Sequence, residues 1–105
     1  MDQNSVVGTR FKVNVNMQPV DGYNLGNVDW EVKVFVDSNN KSLILKKDQC
    51  KRIDDDNYYI PIDSSILGPG RYYVTLTVNL PDGDFSDGVR IEKVTAYTGV
   101  TINQR

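Results

Sequence analysis

The ten residues Arg71-Tyr72-Tyr73-Val74-Thr75-Leu76-Thr77-Val78-Asn79-Leu80 decide the fold class. Tyr72, Val74, Leu76, Val78 and Leu80 alternate with Arg71, Tyr73, Thr75, Thr77 and Asn79, so the apolar and the mostly polar sets take turns. Successive side chains of a strand point to opposite faces, whereas a helix repeats its apolar positions three and four residues apart. The period of two therefore predicts a strand with Tyr72, Val74, Leu76, Val78 and Leu80 facing a core.

Working outward, the same period recurs. Arg10–Met17 places Phe11, Val13, Val15 and Met17 on one face, and Trp30–Val36 does so with Trp30, Val32, Val34 and Val36. Clusters of Asp, Asn, Gly and Ser separate these runs at Asp21–Asn27, Asp37–Lys41 and Asp54–Asn57. Leu43–Leu45 reads as a short strand, and Lys46–Arg52 is polar with no clear period. Tyr58-Tyr59-Ile60-Pro61-Ile62 is a further strand, expected at a sheet edge because proline cannot donate to a ladder. Asp63–Leu67 predicts one helical turn with Asp63 as N-cap, closed by Gly68-Pro69-Gly70. Pro81–Gly88 is a loop leading to Val89-Arg90-Ile91. The alternation then changes phase to Val94, Ala96 and Thr98, which predicts a bulge near Glu92-Lys93. Val100-Thr101-Ile102 closes the series.

About seven short antiparallel strands punctuated by turns predict an all-β, immunoglobulin-like β-sandwich over residues 7–103, preceded by a flexible arm at residues 1–6. Trp30 early in an inner strand suits the centre of such a core. The Cys…Trp…Cys spacing of antibody domains is missing, and an open barrel such as the OB-fold is the rival architecture. Composition agrees with strands and turns: there is one alanine, Ala96, and two glutamates stand against twelve aspartates. A chain of 105 residues fits one core and buries roughly two-thirds of its unfolded surface, enough to fold without staples.

The same bulk features remove function classes. The net charge of −2, with Lys and Arg scattered among acids, supplies no field for nucleic acid or an anionic membrane. No window approaches the ~18 apolar residues of a membrane span. Cys50 is the only cysteine, so no internal disulfide forms, and the start MDQNSVVGTR has no basic, apolar leader pattern. The expectation is a soluble protein made in a reducing cytosol. Histidine is absent, which takes away the commonest general base and metal ligand.

Catalytic and cofactor-binding residues are accordingly expected to be none. Cys50 has no histidine to activate it, the carboxylates lie in turns with no cleft implied, and no glycine-rich run opens a helix. The loop Asp82-Gly83-Asp84-Phe85-Ser86-Asp87-Gly88 loosely imitates part of a calcium loop. It lacks the bidentate glutamate at its end, and Asp and Gly are what a turn needs, so no metal is expected.

The aromatics carry the remaining signal. Alternation buries Phe11 and Tyr72 and sends Phe35 and Tyr73 to the opposite face, while Tyr23 and Phe85 lie on loops. Exposed aromatics are enriched in protein interfaces and in sugar-binding platforms. Tyr23, Phe35, Tyr58, Tyr73 and Phe85 are the candidate interface.

The runs Tyr58–Arg71, containing Ile66-Leu67-Gly68-Pro69-Gly70-Arg71, and Val78–Arg90, containing Leu80-Pro81-Asp82-Gly83 and Asp87-Gly88-Val89-Arg90, carry a resemblance, as does the closing Thr98-Gly99-Val100-Thr101-Ile102. Over roughly residues 28–102 the chain resembles small virion proteins of tailed phages infecting gut Bacteroidales, crAss-like phages included. It is also similar to the N-terminal immunoglobulin-like domain of phage baseplate upper proteins. Baseplate proteins continue into further domains, so the expectation favours a free-standing auxiliary (decoration) protein of the capsid. The resemblance implies a non-enzymatic role in the virion, assembled in the bacterial host cytoplasm. Its partners would be the major capsid protein and other virion proteins, with self-association through strand edges, and neither nucleic acid nor membrane. The alternatives are a baseplate or tail structural protein, or a carbohydrate-binding adhesion module.

Overall fold

In chain order the elements are β1 (Gln3–Val6), β2 (Arg10–Asn16), β3 (Asp29–Val36), β4 (Ser42–Lys46), a 3-10 turn at Lys47–Gln49, β5 (Lys51–Asp54), β6 (Asn57–Asp63), α1 (Ser64–Leu67), β7 (Gly70–Pro81) and β8 (Val89–Asn103). The computed structural model describes residues 3–104. The strands form two sheets, one ordered β1-β8-β7-β3-β4 and the other β2-β6-β5. All pairings are antiparallel except β1 with β8, which is parallel. Packed face to face, the sheets make a β-sandwich with immunoglobulin-like strand order.

The alternation read from the sequence sets the inner faces. Along β7 every second residue from Tyr72 to Leu80 is buried, and β3 buries Trp30, Val32, Val34 and Val36. Trp30 fills the centre: its ring meets Tyr58 edge-on at 4.9 Å, and its Nε1 donates to the Leu25 carbonyl at 2.9 Å. A buried indole N–H needs such an acceptor, so the loop carbonyl and the ring position each other.

The helical turn α1 forms where predicted. The Asp63 carboxylate caps it by accepting from the Ser65 N–H at 3.0 Å. The hydroxyl of buried Ser64 donates to the Thr9 carbonyl at 2.7 Å and accepts from the Gly8 N–H at 3.0 Å, tying the β1–β2 corner to this turn. Tyr72 donates its hydroxyl to the Gly68 carbonyl at 2.6 Å, the tyrosine-corner arrangement of immunoglobulin-like domains. Gly70 adopts φ 134°, and a Cβ there would run into the Val36 side chain. The Leu-Gly-Pro-Gly run is thus a backbone requirement of this corner.

Three expectations are corrected and one open stretch is resolved. The stretch taken as an arm contributes β1 over residues 3–6, paired with Val100–Asn103; Met1 and Asp2 lie outside the described residues. β6 is the central strand of its sheet, although β5 pairs only with Asn57, Tyr58 and Tyr59, so at Pro61 that side of β6 carries no ladder. The bulge falls at Thr98–Val100, where three residues of β8 stand against Tyr72 alone, and register is unbroken from Val89 to Tyr97. Finally, Lys51–Asp54 is a strand with every residue exposed, so no apolar period announces it.

The phase change in β8 has a different origin from a bulge. Arg90, Glu92, Val94 and Ala96 lie opposite the inward residues Leu80, Val78, Leu76 and Val74, while Ile91 points outward. Residues 91–96 are nevertheless exposed on both faces, so nothing selects for apolar residues on the inner side alone.

Candidate functional site

Register builds the site. Phe35 of β3 stands directly opposite Tyr73 of β7, and Tyr73 stands opposite Tyr97 of β8. Directly paired residues share a face, so the three rings form a row across three neighbouring strands on the outer face of the larger sheet. Phe35 and Tyr73 are stacked at 5.6 Å with an interplanar angle of 17°, and Tyr73 meets Tyr97 at 5.3 Å and 42°. The Lys33 ammonium lies 5.7 Å from the Phe35 ring centre, a cation–π distance. Each ring is partly covered by the next, and all three are half-buried.

Polar groups frame the row. Thr75 and Thr95 share a hydroxyl hydrogen bond of 2.7 Å one register step along, and Tyr97 and Thr101 share one of 2.9 Å. At the other side, the Asp37 carboxylate accepts from the Arg71 N–H at 2.9 Å and from Arg71 Nε at 2.8 Å. These hydrogen bonds from Arg71 hold the Asp37 carboxyl below the usual aspartate range. The face is aromatic and edged by hydrogen-bonded polar groups.

The structure brings together two of the five candidate residues, Phe35 and Tyr73. Tyr23 is half-buried on its loop, bridged to Val20 and packed against the core. Phe85 is 49% exposed on the loop between β7 and β8, outside the strands that carry the row. Tyr58 is a correction: it is buried under Trp30, and its neighbour Tyr59 takes the exposed side, where the Lys12 ammonium lies 5.5 Å from its ring centre. The parity of Ile60 and Ile62, both buried, required this. Tyr97 is the ring that the sequence reading left out; its signal is the register with Tyr73, which needs the β7–β8 pairing.

The acidic loops serve the backbone. Asp82 accepts from the Asp84 N–H at 3.0 Å and from Arg90 Nη1 at 2.9 Å, and Asp87 accepts from the Val89 N–H at 3.1 Å. Arg90 reaches Asp21 as well, at 3.3 Å, and its Nε lies 3.5 Å from Glu92, within ion-pair range without a hydrogen bond. Asp54 accepts from the Asp56 N–H and the Asn57 side-chain amide, each at 2.9 Å. Among the described residues no group of three acids or cysteines gathers to hold a metal ion. Desolvation, and then Asp48, pushes the Cys50 thiol up to about 11. A thiol with that pKa is a poor nucleophile at neutral pH.

Among the described residues, no helix is long and apolar enough to cross a membrane. No protein-family model, curated protein sequence or solved structure matches the chain.

Proposed function

We propose that the chain is a non-enzymatic virion structural protein, an auxiliary protein bound to a phage capsid surface that stabilises the shell or anchors fibres. The observation that carries the contact role is the row Phe35–Tyr73–Tyr97. Rigid rings on a sheet lose little conformational entropy when covered, which suits them to protein interfaces. The resemblance of Tyr58–Arg71 and Val78–Arg90 to small phage virion proteins supports the virion setting. A sandwich without disulfides fits assembly in a reducing cytoplasm.

A carbohydrate-binding module is the second reading, and the exposed Phe85 and the tyrosines favour it. Sugar rings stack on open aromatic faces, however, and here Phe35 and Tyr73 cover one another while Lys33 lies against Phe35. The experiment is cosedimentation of the purified chain with assembled capsids of the same phage, alongside a glycan array. Saturable capsid binding that weakens at least ~10-fold with Tyr73→Ala, roughly the ~1.4 kcal/mol of a modest hot spot, is expected. Saturable glycan binding lost with Tyr73→Ala or Phe85→Ala, with no capsid association, replaces it with the adhesion module.

A further inference from the structure

β1 closes the larger sheet, but the strand that follows it, β2, lies in the smaller one. The chain crosses between them at Val7, Gly8 and Thr9, and the two sides of this corner are held unequally. Thr9 is pinned: its carbonyl accepts from the Ser64 hydroxyl at 2.7 Å and from the Ser64 N–H at 3.0 Å. On the other side, β1 pairs with β8 alone. Ser5 is half-buried, Val6 is 50% exposed, and half-buried Val7 packs against the core. The Val7 N–H continues the ladder to the Asn103 carbonyl at 3.0 Å, so Val7 goes with β1. Gly8, at φ 102°, is the pivot between the two sides. A short ladder and one half-covered valine place β1 at the low end of local stability.

The structure itself shows what fits the edge of β8 once β1 leaves it. Gln3–Val6 lies on Val100–Asn103 in parallel register, and a second copy carries the same strand with the same fit. Turning Gly8 from φ 102° to extended backbone straightens the corner. β1 can then make on a second copy the contacts it gives up on its own chain, which is a low-cost route to a dimer. From Thr9 to Val7 is two residues, at most about 7 Å when extended. With Thr9 still held by Ser64, the accepting corner must lie beside the donating one. The two copies are therefore joined through their α1 ends, about a two-fold axis that exchanges both strands.

Two surface features agree with this end. Val6 and, on α1, Ile66 are 50% and 54% exposed there, and an end-to-end contact covers such side chains. The charge distribution agrees as well. Residues 17–29, 47–56 and 82–88 gather at the opposite end and carry nine of the twelve aspartates. At the α1 end Arg10 pairs with Asp63 and Arg71 with Asp37. A two-fold joint there brings together ends whose charges are paired. It holds the acidic ends apart by the length of both β7 strands, twelve residues each at ~3.3 Å per residue, well beyond the ~10 Å screening length.

We propose that two copies of this chain exchange β1 through their α1 ends, each β1 lying on Val100–Asn103 of the other copy. This stands on the geometry of the corner and does not depend on the capsid reading.

The test uses the full chain with Cys50→Ala, Asn4→Cys and Thr101→Cys, since Asn4 stands opposite Thr101 across the β1–β8 pair. On oxidation, exchanged strands form the disulfide between chains and unexchanged ones form it within a chain, and non-reducing electrophoresis separates the two. Each single cysteine alone is the control for random linkage. Interchain links are expected to rise between ~10 μM and ~1 mM, the effective concentration of a short tether, with a mass of two chains by light scattering. Gly8→Val, whose branched side chain disfavours φ 102°, should tighten the dimer at least ~10-fold. Wholly intrachain links at ~1 mM overturn the proposal, as does equal interchain linkage in the single-cysteine controls. A dimer whose links stay intrachain also overturns it, by naming a contact without exchange. So does a Gly8→Val chain that stays monomeric while β1 loses amide protection. Capsid binding by the outer face, read by Tyr73→Ala, is unaffected by either result.

Discussion

Removing one oxygen at Tyr72 probes the corner that closes the sandwich. Tyr72→Phe keeps the fully buried ring and its edge-on contact with Phe11 at 5.4 Å. It deletes only the hydroxyl that donates to the Gly68 carbonyl at 2.6 Å. A lost hydrogen bond costs about 1 kcal/mol net, and an acceptor left without its donor raises that by as much again. The expected loss is about 2 kcal/mol, or roughly 10 °C in melting temperature for a domain of this size. Urea denaturation followed by Trp30 fluorescence measures it, with an unchanged slope showing that the unfolded state is the same. The variant also has a pH signature. Burial, and then Asp63, raises the Tyr72 hydroxyl to about 12, while in the unfolded chain it ionises near 10. Stability from this group is therefore complete below about pH 10 and is lost as the pH rises through about 12. Tyr72→Phe should lack that share of the alkaline decline. A loss below ~0.5 kcal/mol with an unaltered alkaline limb would falsify the reasoning.

Three other outcomes follow from the same structure. Gly70→Ala places a Cβ at φ 134° against the Val36 side chain, so it should cost at least ~2 kcal/mol in urea denaturation, whereas Gly83→Ala, with open space around it, should stay within about 0.5. The Asp37 carboxyl is held low by its hydrogen bonds from Arg71, so its contribution is present above the unfolded value near 3.9 and fades as the pH falls through the lower folded value. Asp37→Asn should flatten that part of the acid-unfolding curve, and an unchanged acid limb counts against the pair. With its pKa near 11, the Cys50 thiol should react with a disulfide reagent at pH 8 about a hundredfold more slowly in the native chain than in urea, and equal rates would refute the burial argument.

The parts of the fold legible in the sequence are those where one face is buried along the whole strand. β7, β2 and β3 alternate because the opposite sheet covers them, and Asp63 and Gly68-Pro69-Gly70 announce the turn before β7. β5 and the middle of β8 are silent or misleading, since Lys51–Asp54 is exposed throughout and residues 91–96 are exposed on both faces. Pro61 was a sound clue to a missing ladder, but that ladder is missing because β5 is short, which no local pattern reports. At the site, Phe35 and Tyr73 were readable from the parity of their own strands. Tyr58 was readable too, since Ile60 and Ile62 share its face. Tyr97 depended on which residue of β8 meets Tyr73, a matter of pairing between strands.

The parallel union of β1 with the last residues of β8 has a mechanical consequence. Gln3 lies beside Val100 and Val6 beside Asn103, so the backbone enters this pair at one end and leaves it at the other. Tension entering ahead of Gln3 and leaving beyond Asn103 pulls the two strands along their lengths in opposite directions. The hydrogen bonds of a parallel pair lie across that line and share the load together, whereas a hairpin pulled at its open end gives way one rung at a time. The corner held by Ser64 and Thr9 backs the same clamp from the other side. Under traction through its backbone the domain is loaded in shear, the geometry in which a few short rungs resist the most force.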